Sequence, residues 1–261
     1  MHILFSTTSR AALITATTTD DRRAYGSIPT ELEAPGSPFQ NQTVALREAA
    51  ETFATEASKI VTVFQRIAWK EKLLHLAATV VAPSIQNLIR DGRAEAAAIK
   101  AAWARTMTVP VADVATAMLR QWDLAAFASG STGEKAAWIE RAGVEQLAAI
   151  IEAGRERFPE VPSEIWDRTE SRYAVLHFIR TAGTAADHAR KSTLEEPLAV
   201  GVDMRAAEGA ANELLQQHHR RSDMIATVEQ AVQGVTEVVA LTCDTDIHAA
   251  FDMLTTGKVP Q

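Results

Sequence analysis

The run Gly130–Ser131–Thr132–Gly133–Glu134–Lys135 has the small residues and the lysine of a phosphate-binding loop. A nucleotide-hydrolysing loop needs Lys directly after Gly, a hydroxyl residue next, and a strand before it. Here Glu134 intervenes and a helical pattern precedes, so the run is not read as an NTPase motif. What remains is weak capture of one phosphate by backbone N–H groups at the next helix start. Cys243, Asp244, Asp246 and His248 are metal-ligating types within six residues, but no second cluster stands at zinc-like spacing. Asp244 or Thr245 capping a last helix is the plainer reading, and no metal or cofactor is expected. In His218–His219–Arg220–Arg221, neighbours on a helix point about 100° apart, so the two histidines cannot share one metal. That run is either a solvated face or a polyanion contact. Arg155 and Arg157 flank a helix end, where the dipole alone favours cations. Arg168 and Arg172 stand one turn apart, with Glu164 four before Arg168, which is ordinary surface pairing. There is no Ser–His–Asp or Cys–His arrangement and no carboxylate pair in apolar context, so nothing selects an enzyme.

The elements that must position these residues are helical. The 261 residues, 47% hydrophobic and 23% charged, suffice for one large or two small domains with a real core. A single cysteine precludes an internal disulfide framework and fits a reducing compartment. No apolar run is long enough for a membrane span, and the start, without a basic n-region, does not read as a signal peptide. A net charge of −7 opposes wholesale coating of duplex DNA but leaves room for a local basic groove on a single strand.

Residues 1–42 show no helical period. Their Thr-rich run, Gly26, Pro35 and Pro38 predict an extended N-terminal arm, with short strands around Ile3–Ser6 or Leu13–Thr18, or else a disordered terminus. The apolar Ile3, Phe5, Leu13 and Ile14 are what an arm docking on a neighbour needs. From Thr43, a plausible N-cap, Leu46, Phe53, Ile60, Ile67, Leu74 and Val81 recur every seven residues, predicting one long helix that ends near Pro83. Glu71 in the seam favours a bundle over a free coiled coil. Helices are then predicted over 93–107, from Pro110 to 128, over 134–142 and 144–154, from Ser163 to 180, from Asp203 to about 241 with an interruption near Ser222–Asp223, and over 246–254. The fold class is all-α: an arm over 1–42, a helical bundle core over 43–241, and a C-terminal helix and tail over 242–261.

The order of local patterns over about residues 95–235 resembles the coat proteins of flexible filamentous plant viruses, of the potexvirus type. Trp103 to Val109–Pro110, then an Ala-rich helix ending in Ser129–Gly130–Ser131–Thr132, is similar to the start of that family's core. Val144 to Ile151 looks like its next Ala/Leu helix, and Arg155 to Trp166 like its Arg-rich turn. Tyr173 to Ile179 resembles the family's aromatic stretch, with His177 where the family has Asp. Arg221 to Met224 and Val228 to Gly234 resemble its final basic helix. The turn is shorter here, with Pro159 and Pro162, and the 43–81 helix is longer.

The resemblance implies a non-enzymatic virion protein, assembled in host cytoplasm. It would polymerise through its N-terminal arm into a flexible helical filament around single-stranded RNA, bound by its backbone. By motif match the groove would use Ser131, Arg155 or Arg157, and His177; Arg172, Arg220 and Arg221 are added on charge alone. The other reading is a helical scaffold or adaptor of a viral or cellular assembly, without nucleic acid.

Overall fold

The computed structural model describes residues 1–64, 66–181 and 187–259, the side chains of Arg66 and Ile67 apart. Of the heptad stripe, the Ile67 side chain therefore lies outside the description. The chain is mostly α-helical and forms two compact units, Met1–Ala98 with Arg221–Gln261, and Ile99–Arg220.

In the first unit the expected arm is a folded sheet, so the chain is not wholly α. Strands β1 (His2–Thr7), β2 (Ala11–Thr17) and β3 (Arg23–Pro29) form an antiparallel meander in sequence order. Both of the places at which a short strand is expected are strands, and β3 is an addition. Along β2 every second residue is buried, so Ala12, Ile14 and Ala16 face inward. The register aligns Phe5, Ile14 and Gly26 across the sheet, and Ile3 with Ala16 and Ala24. Ile3 and Ile14 belong to the chain's own core, Phe5 packs against it, and Leu13 is half-buried. A two-faced sheet with an apolar side must bury that side, and the helices of this unit are at hand.

Those helices are α1 (Gln40–Val63), α2 (Arg66–Leu76), the first part of α3 (Ala82–Thr106), the last part of α8 (Met204–Thr242) and α9 (Ile247–Thr256). Helix α1 starts three residues before Thr43, whose buried side chain caps nothing; the cap position is Phe39. The single helix expected over 43–81 is interrupted after Ile60–Val61–Thr62–Val63, a β-branched run of low helix propensity. Its stripe still lines one core, with Leu46, Ala50, Phe53 and Ala57 from α1 and Leu74 and Val81 beyond the break.

Pro83 does not end the helix. A π-turn over Ala77–Val81 precedes it, the Ala82 N–H reaching back to the Ala77 carbonyl. Widening the turn before a residue that has no N–H lets the helical run continue into α3. Helix α8 likewise runs through Ser222–Asp223 without interruption, and Asp203 caps it by accepting from the Ala206 N–H. Strand β3 lies directly on α8: a Cβ on Gly26 would come within 2.9 Å of the Gly234 backbone, and the reverse holds for Gly234. Only a Gly–Gly crossing permits that approach.

The second unit consists of the rest of α3 and α8 with α4 (Val114–Ser129), α5 (Thr132–Arg141), α6 (Val144–Ala153) and α7 (Ser163–Thr181). Its core joins Phe127, Ile139, Leu147, Ile150, Phe158 and Tyr173. Among the described residues no helix is long and apolar enough to cross a membrane.

Candidate functional site

Ser131 is the N-cap of α5. Its Oγ accepts from the Glu134 N–H and donates to Glu134 Oε2, while that carboxylate accepts from the Ser131 N–H at 2.8 Å. This is a capping box. The hydrogen bonds from Ser131 hold the Glu134 carboxyl below its ordinary range, so a fixed negative charge sits where a phosphate would. Lys135, the other part of the loop motif, is buried and gives its ammonium to Glu160 at 2.6 Å. The Ser131 hydroxyl, the Ser131 and Glu134 N–H groups and the Lys135 ammonium are therefore already partnered within the chain.

Arg155 and Arg157 lie on a short 3₁₀ turn, Arg155–Arg157, both exposed and, among the described residues, without an ion pair. The turn is anchored by Phe158, buried edge-on against Phe127. Phe127–Phe158 and Lys135–Glu160 hold this turn beside the α4–α5 loop, so Ser131 and the two arginines belong to neighbouring segments.

The other expected contacts are elsewhere. Arg172 donates to the Ala142 carbonyl at the end of α5, a cation at a helix C-terminus, and its Nε is buried without a partner. His177 stacks on Tyr173, whose hydroxyl is 3.1 Å from the Thr108 carbonyl and 3.4 Å from His177 Nδ1. If Tyr173 spends its one proton on Thr108, Nδ1 must be the donor to the phenol oxygen. Burial, and then the charge of Arg180, hold the His177 imidazole below its ordinary range, so it is a neutral ring and not the carboxylate of the resembled motif. Arg220 is exposed on α8, and Arg221 is bound to Glu95 at 2.6 Å. Ser131 and the two arginines thus lie on segments joined through Phe127–Phe158 and Lys135–Glu160, while Arg172 and His177 are engaged within α5–α7, Arg220 is exposed on α8 and Arg221 is paired in the first unit.

One charged residue escaped the sequence reading. Arg120, buried in the middle of α4, donates to Glu145 at 2.9 Å, Glu152 at 3.0 Å and the Pro110 carbonyl at 3.2 Å. Glu145 also accepts from Arg180, so the cluster ties α4, α6 and α7 together. Hydrogen bonds from Arg180 and Arg120 hold the Glu145 carboxyl below its ordinary range. The signal was available: Arg120 stands seven residues before the core residue Phe127, on the same face.

Near the chain end, Asp246, not Asp244 or Thr245, caps α9, accepting from the His248 and Ala249 N–H groups. Cys243 is buried, and burial pushes its thiol up to about 12, so it is no ready thiolate.

The remaining features are apolar. In the first unit a groove of about 430 Å³ is lined by Ile89, Val228, Val232, Ile247 and Phe251. In the second unit large apolar side chains stand in solvent on two stretches: Val111, Val114, Met118, Leu119 and Trp122, and Leu194, Leu198, Val200 and Met204.

No protein-family model matches the chain, and no curated protein or solved structure matches it significantly. The coat-protein resemblance therefore rests on the residues quoted for it.

Proposed function

We propose that this protein is a helical scaffold that works by presenting apolar surface to other proteins, with no nucleic acid in its assembly. The observation that carries this reading is the exposure of the large apolar residues Val114, Met118, Leu119 and Trp122 of α4, from 56% at Met118 to 80% at Val114. Scattered exposed hydrophobes are ordinary, but a contiguous set on one helix marks an interaction surface. Staining with a hydrophobic-surface dye, alongside sedimentation at increasing concentration, tests it. Dye binding by the folded chain is expected. A chain that leaves the dye dark and stays monomeric throughout contradicts the reading.

A second reading, the RNA coat, is favoured by Arg155 and Arg157, which are exposed and, among the described residues, without an ion pair. It requires these two cations to bind phosphate where Glu134, Glu156 and Glu160 stand close in sequence or contact. In its original form it also requires residues 1–42 to leave the core that now buries Ile3 and Ile14 and dock on a neighbouring subunit. On that reading, changing both arginines to Ala weakens binding of single-stranded RNA for all sequences and reduces its salt slope by about 1.4. Unchanged binding and slope with intact helical circular dichroism removes those residues from any RNA site.

A further inference from the structure

The exposed surface of α4 has a composition that selects its partner. The helix buries Arg120 and Phe127 and half-buries Thr116, Ala117, Asp123 and Leu124, a stripe at helical spacing. Its exposed residues are Val114, Ala115, Met118, Leu119, Gln121, Trp122, Ala125, Ala126, Ala128 and Ser129, and none of them is ionisable. Both charged side chains of the helix, Arg120 and Asp123, point into the unit, to Glu145 and Glu152 and to Gln146 respectively. A helix apolar on nearly every face normally lies inside a protein, and this one is covered on one side only.

We infer that the exposed face of α4 binds the same face of a second copy of this chain, as an antiparallel helix pair about a two-fold axis. This rests on the scaffold reading and names its first partner. Three features of the face argue for a copy over a different protein. A chain of net charge −7 repels its copies wherever charged surfaces approach, and this face brings no formal charge to the contact. The order of side chains is self-complementary: with the axis between Met118 and Trp122, Met118 meets Trp122 of the other copy, Ala115 meets Ala125, and Val114 meets Ala126. Large residues then fill the centre and small ones let the ends close, and thioether on indole is a favourable pairing. The size also suits: Val111, Val114, Met118, Leu119 and Trp122 are 56–100% exposed, on the order of 600 Å² together, close to the ~800 Å² that each partner buries in a standard interface.

Sedimentation equilibrium of the full chain tests this, with Trp122→Glu and Met118→Glu as variants whose exposed positions leave the fold intact. The wild-type chain is expected to be a dimer that dissociates on dilution, and Trp122→Glu to raise its Kd at least about thirtyfold. Mixing Met118→Cys chains with Trp122→Cys chains under mild oxidation should give more mixed than like-with-like crosslinks, against a silent background from buried Cys243. A wild-type dimer that both Glu variants leave unchanged overturns the inference while the scaffold reading stands. A wild-type monomer that binds the hydrophobic dye overturns the second copy as occupant. A monomer that leaves the dye dark removes the scaffold reading with it.

Discussion

Arg120 illustrates how a single buried charge is tolerated. Its guanidinium has lost most of its water, and two carboxylates and a carbonyl replace it. Glu152 is 60% exposed, so its share is screened, and Glu145 keeps Arg180 when Arg120 is removed. Arg120→Met should therefore lower stability by about 2 kcal/mol, less than the 3–5 of a fully buried pair. A shift of the urea midpoint at constant slope measures it; an unchanged midpoint would show that the cluster contributes nothing net.

The titrating residues set both ends of the pH range. Cys243 ionises near 9 when unfolded and at about 12 when folded, so the folded chain holds the proton longer. Stability is present below 9 and falls as pH rises from there toward 12. Cys243→Ala should flatten that fall in thermal melts. His177 works at the acid end: its folded value lies below the ordinary 6.5, so the unfolded chain takes the proton first. Stability is present above 6.5 and lost as pH falls through the folded value. His177→Gln should reduce the slope of stability against pH below 6.5. The types of these residues were readable in the sequence and their surroundings were not. Ser131 looked available for a phosphate because its bond to Glu134 forms only when Ser131 is the N-cap of α5.

At the scale of elements, the close crossing of β3 and α8 makes an asymmetric prediction. Gly234→Ala gains helix propensity of about 1 kcal/mol but drives a methyl group into the Gly26 backbone. The clash should win, with a net loss of about 1–3 kcal/mol. On the same helix, Gly209 is exposed with nothing near its missing Cβ, so Gly209→Ala should raise stability by up to about 1 kcal/mol. Thermal melts that move the same way for both would refute the crossing. Periodicity located the helices from α4 to α9 well, because their apolar spacing and capping residues such as Asp203 are local signals. It missed β3, whose inward residues Ala24, Gly26 and Ile28 are mostly small, and whose pairing partner lies in β2. It also ended a helix at Pro83, since a π-turn leaves no mark in an apolar pattern.

At the scale of the molecule, the second unit is inserted within the sequence of the first, between Ala98 and Arg221. The stretch from residue 187 to α8 is the weakest point of the insertion. It holds one isolated bridge, Ala189 to Val202, and Leu194, Leu198 and Val200 are almost fully exposed. Limited proteolysis should cut there first, leaving fragments that stay associated until denatured. First cleavage within the β1–β3 meander would instead support the detachable arm. The sequence reads residues 1–42 as an extended arm, and in the fold they include a three-stranded sheet on the chain's own core. The short apolar runs Ile3–Leu4–Phe5 and Leu13–Ile14, each followed by Ser or Thr, read the same whether a strand docks on a neighbour or on its own helices, and only the tertiary fold decides.

The scaffold reading is tested most directly by electron microscopy of the purified full-length protein with and without single-stranded RNA. Small discrete particles of the same size in both samples are expected, because the proposed contacts are apolar and made between proteins. Flexible rods that form only when RNA is added would contradict the scaffold reading and establish the coat.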